Sequence, residues 1–259
     1  MKITILTLFP EMFDGFKENS IMKRALGKGV AEIELVNIRD YTKDKYRRTD
    51  TPPIGGGAGL VQKAQPIVDA IEAVKGENGH VILMSPRGTT YTQTKAVEYS
   101  RLEHLIIVCG HYEGIDERVN KYVDELVSIG DYILTGGEIP AMGIADSVIR
   151  LLDGAIASES LEDESFNGSL LEYPQYTEPY DFRGDTVPDL LYSGDHSAVN
   201  KWRRKQSLLL TKKYRPDLFE KVELLKADKK LLKEAEEDET PSWEEKANET
   251  GRRYNKTRE

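Results

Sequence analysis

The chain has 259 residues, 39% of them apolar and 31% charged, and 36 Lys plus Arg against 45 Asp plus Glu leave a net charge of −9. That apolar share is enough for a sizeable core in one large domain or two smaller ones, and no window approaches the ~18 uninterrupted apolar residues of a membrane span. Cys109 is the only cysteine, which excludes an internal disulfide framework and any multi-cysteine metal site.

The first run, Ile3–Phe9, is cut by Pro10 and Glu11. It is too short for a signal segment and reads as a buried first strand, so a reducing, cytoplasmic protein is expected. Glu32–Ile38 alternates Ile33 and Leu35 with polar neighbours, as a second strand does. Gln65–Lys75 sets Ile67, Val68, Ile71 and Val74 at helical spacing, with Gly76 as a stop. His80–Met84 and His104–Cys109 are continuous apolar runs, expected of strands buried on both faces, and Thr92–Arg101 between them reads as a helix. Val123–Ile129 is a further strand. The helix predicted over Ile139–Leu152 has Pro140 near its start and Arg150 near its end, where a cation suits the helix dipole. Strands alternating with helices predict an α/β fold with a mostly parallel sheet.

Ala157–Ser169 is rich in serines and acids without apolar period and reads as a mobile linker. Beyond it, His196–Thr211 is a helix carrying Val199, Trp202, Leu208 and Leu209. Lys201, Arg203, Arg204, Lys205, Lys212, Lys213 and Arg215 fall between positions 201 and 215 with no acid among them. A last charged helix holds Leu231 and Leu232. The predicted organisation is a first domain over 1–156, a linker over 157–169, a small, mainly helical domain over 170–237 and a charged, disordered tail over 238–259.

In open parallel sheets the ligand sits beyond the carboxyl ends of the strands. Three such ends combine Gly or Pro with polar groups: Ser85–Gly88, Gly110–Gly114 and Gly130–Glu138. Glycine lets backbone approach a ligand closely, and loop N–H and C=O groups can read a flat heterocycle. Gly55–Gly59 is a glycine-rich loop, but no Lys follows at the spacing of a phosphate loop, so a plain loop and a substrate lid stay open. Glu113, Asp116, Glu117 and Glu138 are a carboxylate set that can bind a hard cation such as Mg²⁺ or, for Asp116 and Glu117, cap a helix. His80, His104, His111 and His196 lack zinc spacing, no G-x-S-x-G elbow is present, and Cys109 closes a buried strand, so core is its expected place. The basic stretch 201–215, with Trp202 and Tyr214, suits nucleic acid: cations for phosphates, aromatic rings for unpaired bases. A solvated helix face explains it equally well.

Several segments together resemble one family. They are Leu8–Phe13, Pro53–Gly59, Leu83–Gly88, Cys109–Arg118, Ser128–Ala141, Glu164–Phe166, Tyr173–Thr177, Ser193–His196 and Trp202–Leu208. In this order they are similar to the bacterial tRNA (guanine-N1)-methyltransferases, the TrmD type of the SPOUT superfamily, from Met1 to about Ala235. The resemblance implies a deep trefoil knot, a homodimer with the active site at the interface, and S-adenosylmethionine as methyl donor. The knot loops would hold it through Leu83, Ser85, Pro86, Gly110, Glu113, Ser128, Ile129, Gly130, Tyr132, Leu134, Gly136, Gly137 and Pro140. The implied target is guanine 37 of tRNA, preceded by guanine 36, with no DNA or membrane partner. Glu164, in the linker, matches the family's aspartate base, with Asp163 as the next candidate, and Arg150 matches the arginine that orients the guanine. For tRNA contacts the resemblance and the basic stretch point to Gly55, Gly56, Gly57, His196, Lys201, Trp202, Arg203, Arg204 and Lys205. Some members use Mg²⁺, but nothing in the sequence locates a site for it. The chain departs from the family at His111, usually Arg, at Ile54 and Ala58, usually Tyr and Pro, and at Thr89, often Arg. A non-catalytic RNA-binding protein on the same scaffold, or a SPOUT enzyme acting on another RNA, are the alternatives.

Overall fold

The computed structural model describes residues 1–156, 165–166, 170–237 and 240–256. The chain divides into two compact units, Met1–Ser158 and Glu159–Glu259.

In the first unit five parallel strands form one sheet in the order β2-β1-β6-β5-β7. They are β1 (Lys2–Thr7), β2 (Glu32–Asn37), β5 (Gly79–Thr90), β6 (His104–Val108) and β7 (Glu125–Ser128). The short pair β3 (Asp50–Thr51) and β4 (Val61–Gln62) is antiparallel and brackets the glycine-rich loop. Successive side chains of the central strands enter two different cores, as the period of two requires. Ile3, Ile5, Ile82, Met84, Leu105, Ile107 and Cys109 face one side. There they meet helices α1 (Asp14–Glu18), α2 (Ser20–Gly27), α4 (Gln93–Tyr99) and α5 (Glu138–Ile149). Leu6, Val81, Leu83, Ile106 and Val108 face the other, under α3 (Ala64–Lys75) and the 3-10 turns Ile38–Tyr41 and Glu117–Tyr122. This double burial is why the strands read as unbroken apolar runs.

One strand differs from its predicted extent. β5 runs on to Thr90, and its register with β7 shifts between Met84 and Thr89, both of which pair with Val127. Ser85–Gly88 is therefore an excursion inside a strand, not a loop after one. Pro86 has no N–H for the ladder. Gly88 closes the excursion against β7, where a Cβ would lie 2.3 Å from the Val127 nitrogen.

The second unit is mainly helical. It holds the hairpin β8 (Asp181–Phe182) and β9 (Asp185–Thr186), then α6 (His196–Tyr214), α7 (Pro216–Phe219), α8 (Lys226–Glu236) and α9 (Ser242–Lys256). Asp195 caps α6 by accepting from the Ala198 N–H at 3.0 Å. Its apolar residues gather in two small cores, one around Leu190, Ala198, Trp202 and Ala247, the other around Leu170, Leu208 and Leu231. The expectation of a disordered tail fails for α9. Ala247 is buried, and Trp243 packs into both cores. An overall charged composition hid a helix with one apolar stripe. Among the described residues no helix is long and apolar enough to cross a membrane.

Candidate functional site

The loops that follow β6 and β7 are laced together by backbone at the carboxyl end of the sheet. The Gly137 N–H donates to the Gly110 carbonyl at 2.8 Å, and His111 and Gly136 form an antiparallel bridge. A Cβ on Gly137 would sit 2.8 Å from the Cys109 Cα and 2.9 Å from the Gly110 nitrogen, so only glycine lets these two strands of loop cross this closely. The start of the Ser85–Gly88 excursion lies alongside, with the Met84 carbonyl 3.9 Å from where a Cβ on Gly110 would be. The structure thus brings the loops holding Gly110, Gly136 and Gly137 together beside Met84, while Leu83, Ser85, Pro86, Glu113, Ser128, Ile129, Gly130, Tyr132, Leu134 and Pro140 lie along the same three segments.

Gly130 turns with φ +149. The Ser128 hydroxyl steadies that turn, accepting from the Gly130 N–H at 3.2 Å and reaching the Gly130 carbonyl at 3.1 Å. Tyr132 projects from the same loop and is half exposed. The result is a cradle of glycine backbone with the exposed rings of Tyr132 and Tyr112, groups that suit a flat heterocycle.

The glycine-rich loop joins this cluster. Its last glycine, Gly59, is pressed against Glu113, whose Cγ would lie 2.4 Å from an added Cβ. The Glu113 N–H donates to the Leu60 carbonyl at 3.0 Å, and the Gln62 N–H to that of Gly114 at 2.9 Å. Gly55, Gly56 and Gly57 all have positive φ and are exposed, and Ile54 beside them stands fully in solvent.

The carboxylates do not form one metal set. Glu138 is buried and accepts from the Thr7 hydroxyl at 2.8 Å. Asp116 caps the 3-10 turn that follows it and pairs with Arg118 at 2.7 Å. Glu117 pairs with Arg87 at 2.9 Å, and Glu113 abuts Gly59. Among the described residues no group of three or more His, Cys, Asp or Glu is arranged to hold a metal. Cys109 is fully buried, and burial together with the nearby Glu138 charge pushes its thiol well above its ordinary pKa. It therefore stays a protonated core side chain.

Two participants escaped the sequence reading. Gln62 hydrogen-bonds the His111 N–H through Oε1 at 3.2 Å, and its buried Nε2 has no partner among the described residues. Thr7 holds Glu138. A polar residue at the end of an apolar strand was the one available signal for Thr7, and a two-residue strand gave none for Gln62. His111 packs its ring on Phe9, with centroids 4.7 Å apart. Its Nδ1 lies 3.6 Å from Glu138 Oε2, beyond hydrogen-bond reach.

The family model of tRNA (guanine-1)-methyltransferase TrmD matches residues 1–221. The chain belongs to this family. A tRNA (guanine-N(1)-)-methyltransferase of Clostridium perfringens is 57% identical over 235 residues, covering 90% of this chain and 99% of that protein. One of Clostridium botulinum is 55% identical over 236 residues, covering 90% and 98%. The TrmD match spans all of the glycine cradle.

Besides the cradle, the sequence points to Arg150, Glu164 and Asp163. Arg150 ends α5, its N–H donating to the Asp146 carbonyl at 3.0 Å. At 1.5 Å per residue, the twelve steps from Glu138 put its backbone about 18 Å from that of Glu138. That end of α5 belongs to the amino edge of the sheet, where Lys28 reaches the Gly154 carbonyl at 3.2 Å. Glu164 and Asp163 lie outside the described residues.

In the second unit the expected RNA-binding residues divide. Trp202 is core. Arg204 makes two hydrogen bonds, both 2.9 Å, to the buried Asp228, and Lys205 is buried against Glu244 at 2.9 Å. These three hold the unit together, because α8 and α9 cover their face of α6. Lys201 is exposed and lies over the Trp243 ring at 5.7 Å, and His196 is exposed at the helix start. Arg203 lies over the Tyr173 ring at 4.6 Å.

Proposed function

We propose that the chain transfers a methyl group from S-adenosylmethionine to N1 of guanine 37 in tRNA, the guanine that follows guanine 36, in the cytoplasm. The observation that carries the reading is the glycine-built cradle at the carboxyl end of the sheet, in a chain of the TrmD family. The donor fits there: backbone from Gly110 and Gly130–Gly137 can read its adenine, and Tyr132 gives a ring to cover it. When bound, S-adenosylmethionine supplies a methyl on a positively charged sulfur, an electrophile that needs no metal.

What remains for the protein is the nucleophile. Guanine N1 carries a proton and attacks only as that proton leaves. A carboxylate within hydrogen-bond reach takes it. We assign this to Glu164, with Asp163 as its alternative. As N1 loses its proton, negative charge develops toward O6. The Arg150 guanidinium is the group assigned to meet it and to fix the base in plane.

The distance along α5 supports a homodimer. The rise along α5 sets the Arg150 backbone about 18 Å from that of Glu138, a separation that the Arg150 end of a second copy would bridge. Ile133 and Ile139, exposed beside the cradle, are the apolar surface such a contact would cover. The interlaced loops also suit the trefoil knot expected of the SPOUT superfamily.

The test is incubation with S-adenosylmethionine and a tRNA bearing guanines at positions 36 and 37, followed by nucleoside mass spectrometry. Formation of 1-methylguanosine, lost when guanine 37 is replaced, is expected. Folded protein that makes none overturns the reading. Sharing between protomers is checked by mixing Arg150→Ala with Gly137→Ala at a cofactor concentration too low for Gly137→Ala to turn over. Recovery of activity in mixed dimers is expected, and no recovery would place each site within one chain.

A further inference from the structure

The second unit carries an open groove of about 370 Å³ that the methyl-transfer chemistry does not use. Tyr173, Tyr176, Tyr192 and Trp202 line it together with Arg203. Tyr176 and Trp202 meet at a tilt of 49° with centroids 6.3 Å apart, and the Arg203 guanidinium lies 4.6 Å from the centre of the Tyr173 ring. Tyr176 is 48% exposed. A domain with two small cores has spent aromatic rings on a solvent-open cleft.

The far wall is held by α9. The turn Asp189–Tyr192 receives hydrogen bonds on Asp189 from Arg252 Nε at 2.9 Å and from Asn255 at 3.2 Å. The Leu190 N–H donates to Asn248 at 3.0 Å. Gly251 packs against this turn so closely that a Cβ would lie 1.8 Å from the Asp189 carbonyl oxygen. Tyr192, at the end of the turn, sits between Tyr180, edge-on at 5.8 Å, and Tyr254, stacked at 6.3 Å. This helix begins at Ser242, beyond residue 221 where the family match ends.

We propose that the groove is a stacking site for one unpaired nucleobase of the RNA substrate, other than the guanine that is methylated, and that α9 positions its far wall. The inference rests on the reading of the chain as an RNA methyltransferase. Three features favour a base over a peptide. The walls are aromatic faces and a guanidinium plane, which stack on any base. The groove has room for about one nucleotide. Arg203 of α6 lines it and can meet a phosphate, whereas Arg204, Lys205 and Lys212 of the same helix are already paired with Asp228, Glu244 and Glu236. Glu178 also lines the groove, so the attached phosphate is drawn to the Arg203 side.

Equilibrium binding tests this without catalysis. The full-length protein is titrated with an anticodon stem-loop RNA and with copies carrying one abasic nucleotide at each loop position in turn. One position other than 37 should lose about tenfold in affinity. In Tyr176→Ala that position should lose nothing further, because the ring it stacks on is gone. Arg252→Ala should weaken the same position and no other. If Arg252→Ala fails to fold, Tyr176→Ala, at an exposed side chain, decides alone. Uniform losses across positions, or losses that Tyr176→Ala leaves intact, overturn the proposal. An absence of 1-methylguanosine with the coupling preserved would overturn the enzymatic reading alone.

Discussion

The cradle of the first unit and the helical face of the second solve opposite problems. In the cradle, side chains withdraw: Gly136 and Gly137 bring one loop against Cys109–Gly110, and backbone groups do the contacting. On α6 side chains are everywhere, yet many are already engaged. Arg204 belongs to Asp228, Lys205 to Glu244 and Lys212 to Glu236. A glycine in a loop between buried strands has few uses besides close approach, so its presence points to a site. A cation on a helix has many uses, and only its neighbours decide which one applies.

The sharpest way to break the contrast is at the residue that neither region contains. Glu164→Gln removes the assigned base and should lower single-turnover methylation by about 10²–10⁴-fold, with S-adenosylmethionine affinity unchanged by calorimetry. Unchanged turnover would move the role to Asp163. Next comes the cradle. Gly137→Ala forces a methyl onto backbone atoms that cannot retreat, costing about 1–3 kcal/mol. It should weaken cofactor binding by roughly ten- to a hundredfold, while a glycine at an open position, Gly143→Ala, should do nothing of the kind.

The second unit responds differently. The Asp228 carboxyl is held below its ordinary pKa first by its hydrogen bonds from Arg204, against the opposing effect of burial, and with help from the Leu225 N–H. A depressed carboxyl gives stability that is complete above its unfolded value and is lost as pH falls toward the folded one. Asp228→Asn should therefore cost about 1–2 kcal/mol at neutral pH, a discounted figure because Arg204 remains 42% exposed. The gap in melting temperature between the two proteins should narrow below about pH 4. Least of all, Lys205→Met combined with Glu244→Leu replaces a buried ion pair by apolar contact. It should change stability by less than about 1 kcal/mol and leave the salt dependence of tRNA binding as it was. A shallower salt slope would show that Lys205 does meet a phosphate.

Much of the first unit was legible because burial on both faces writes itself into sequence. Val81, Ile82, Leu83 and Met84 have no polar face, and the structure sends them alternately into two cores. The strand-end loops followed from that reading, and so did Cys109 as core. The second unit was harder. Trp202 and Tyr214 look alike in the sequence as rings for stacking on bases, but Trp202 is buried and Tyr214 is exposed. The helix α9 was invisible, since its buried face consists of little more than Trp243, Ala247 and Gly251.

The amino-acid order by itself determined the parallel sheet, the glycine-bearing loops after β6 and β7 and membership of the family, because these rest on local pattern and on ordered motifs. Tertiary structure alone decided that Ser85–Gly88 interrupts a strand, that Gln62 and Thr7 support the loops, and that Arg204 and Lys205 are ties. Each of these depends on a partner distant in the chain: Val127, His111, Glu138, Asp228 and Glu244. Nothing in a residue's own neighbourhood announces such a partner, because pairing energy is set by distance in space and burial, not by position along the backbone.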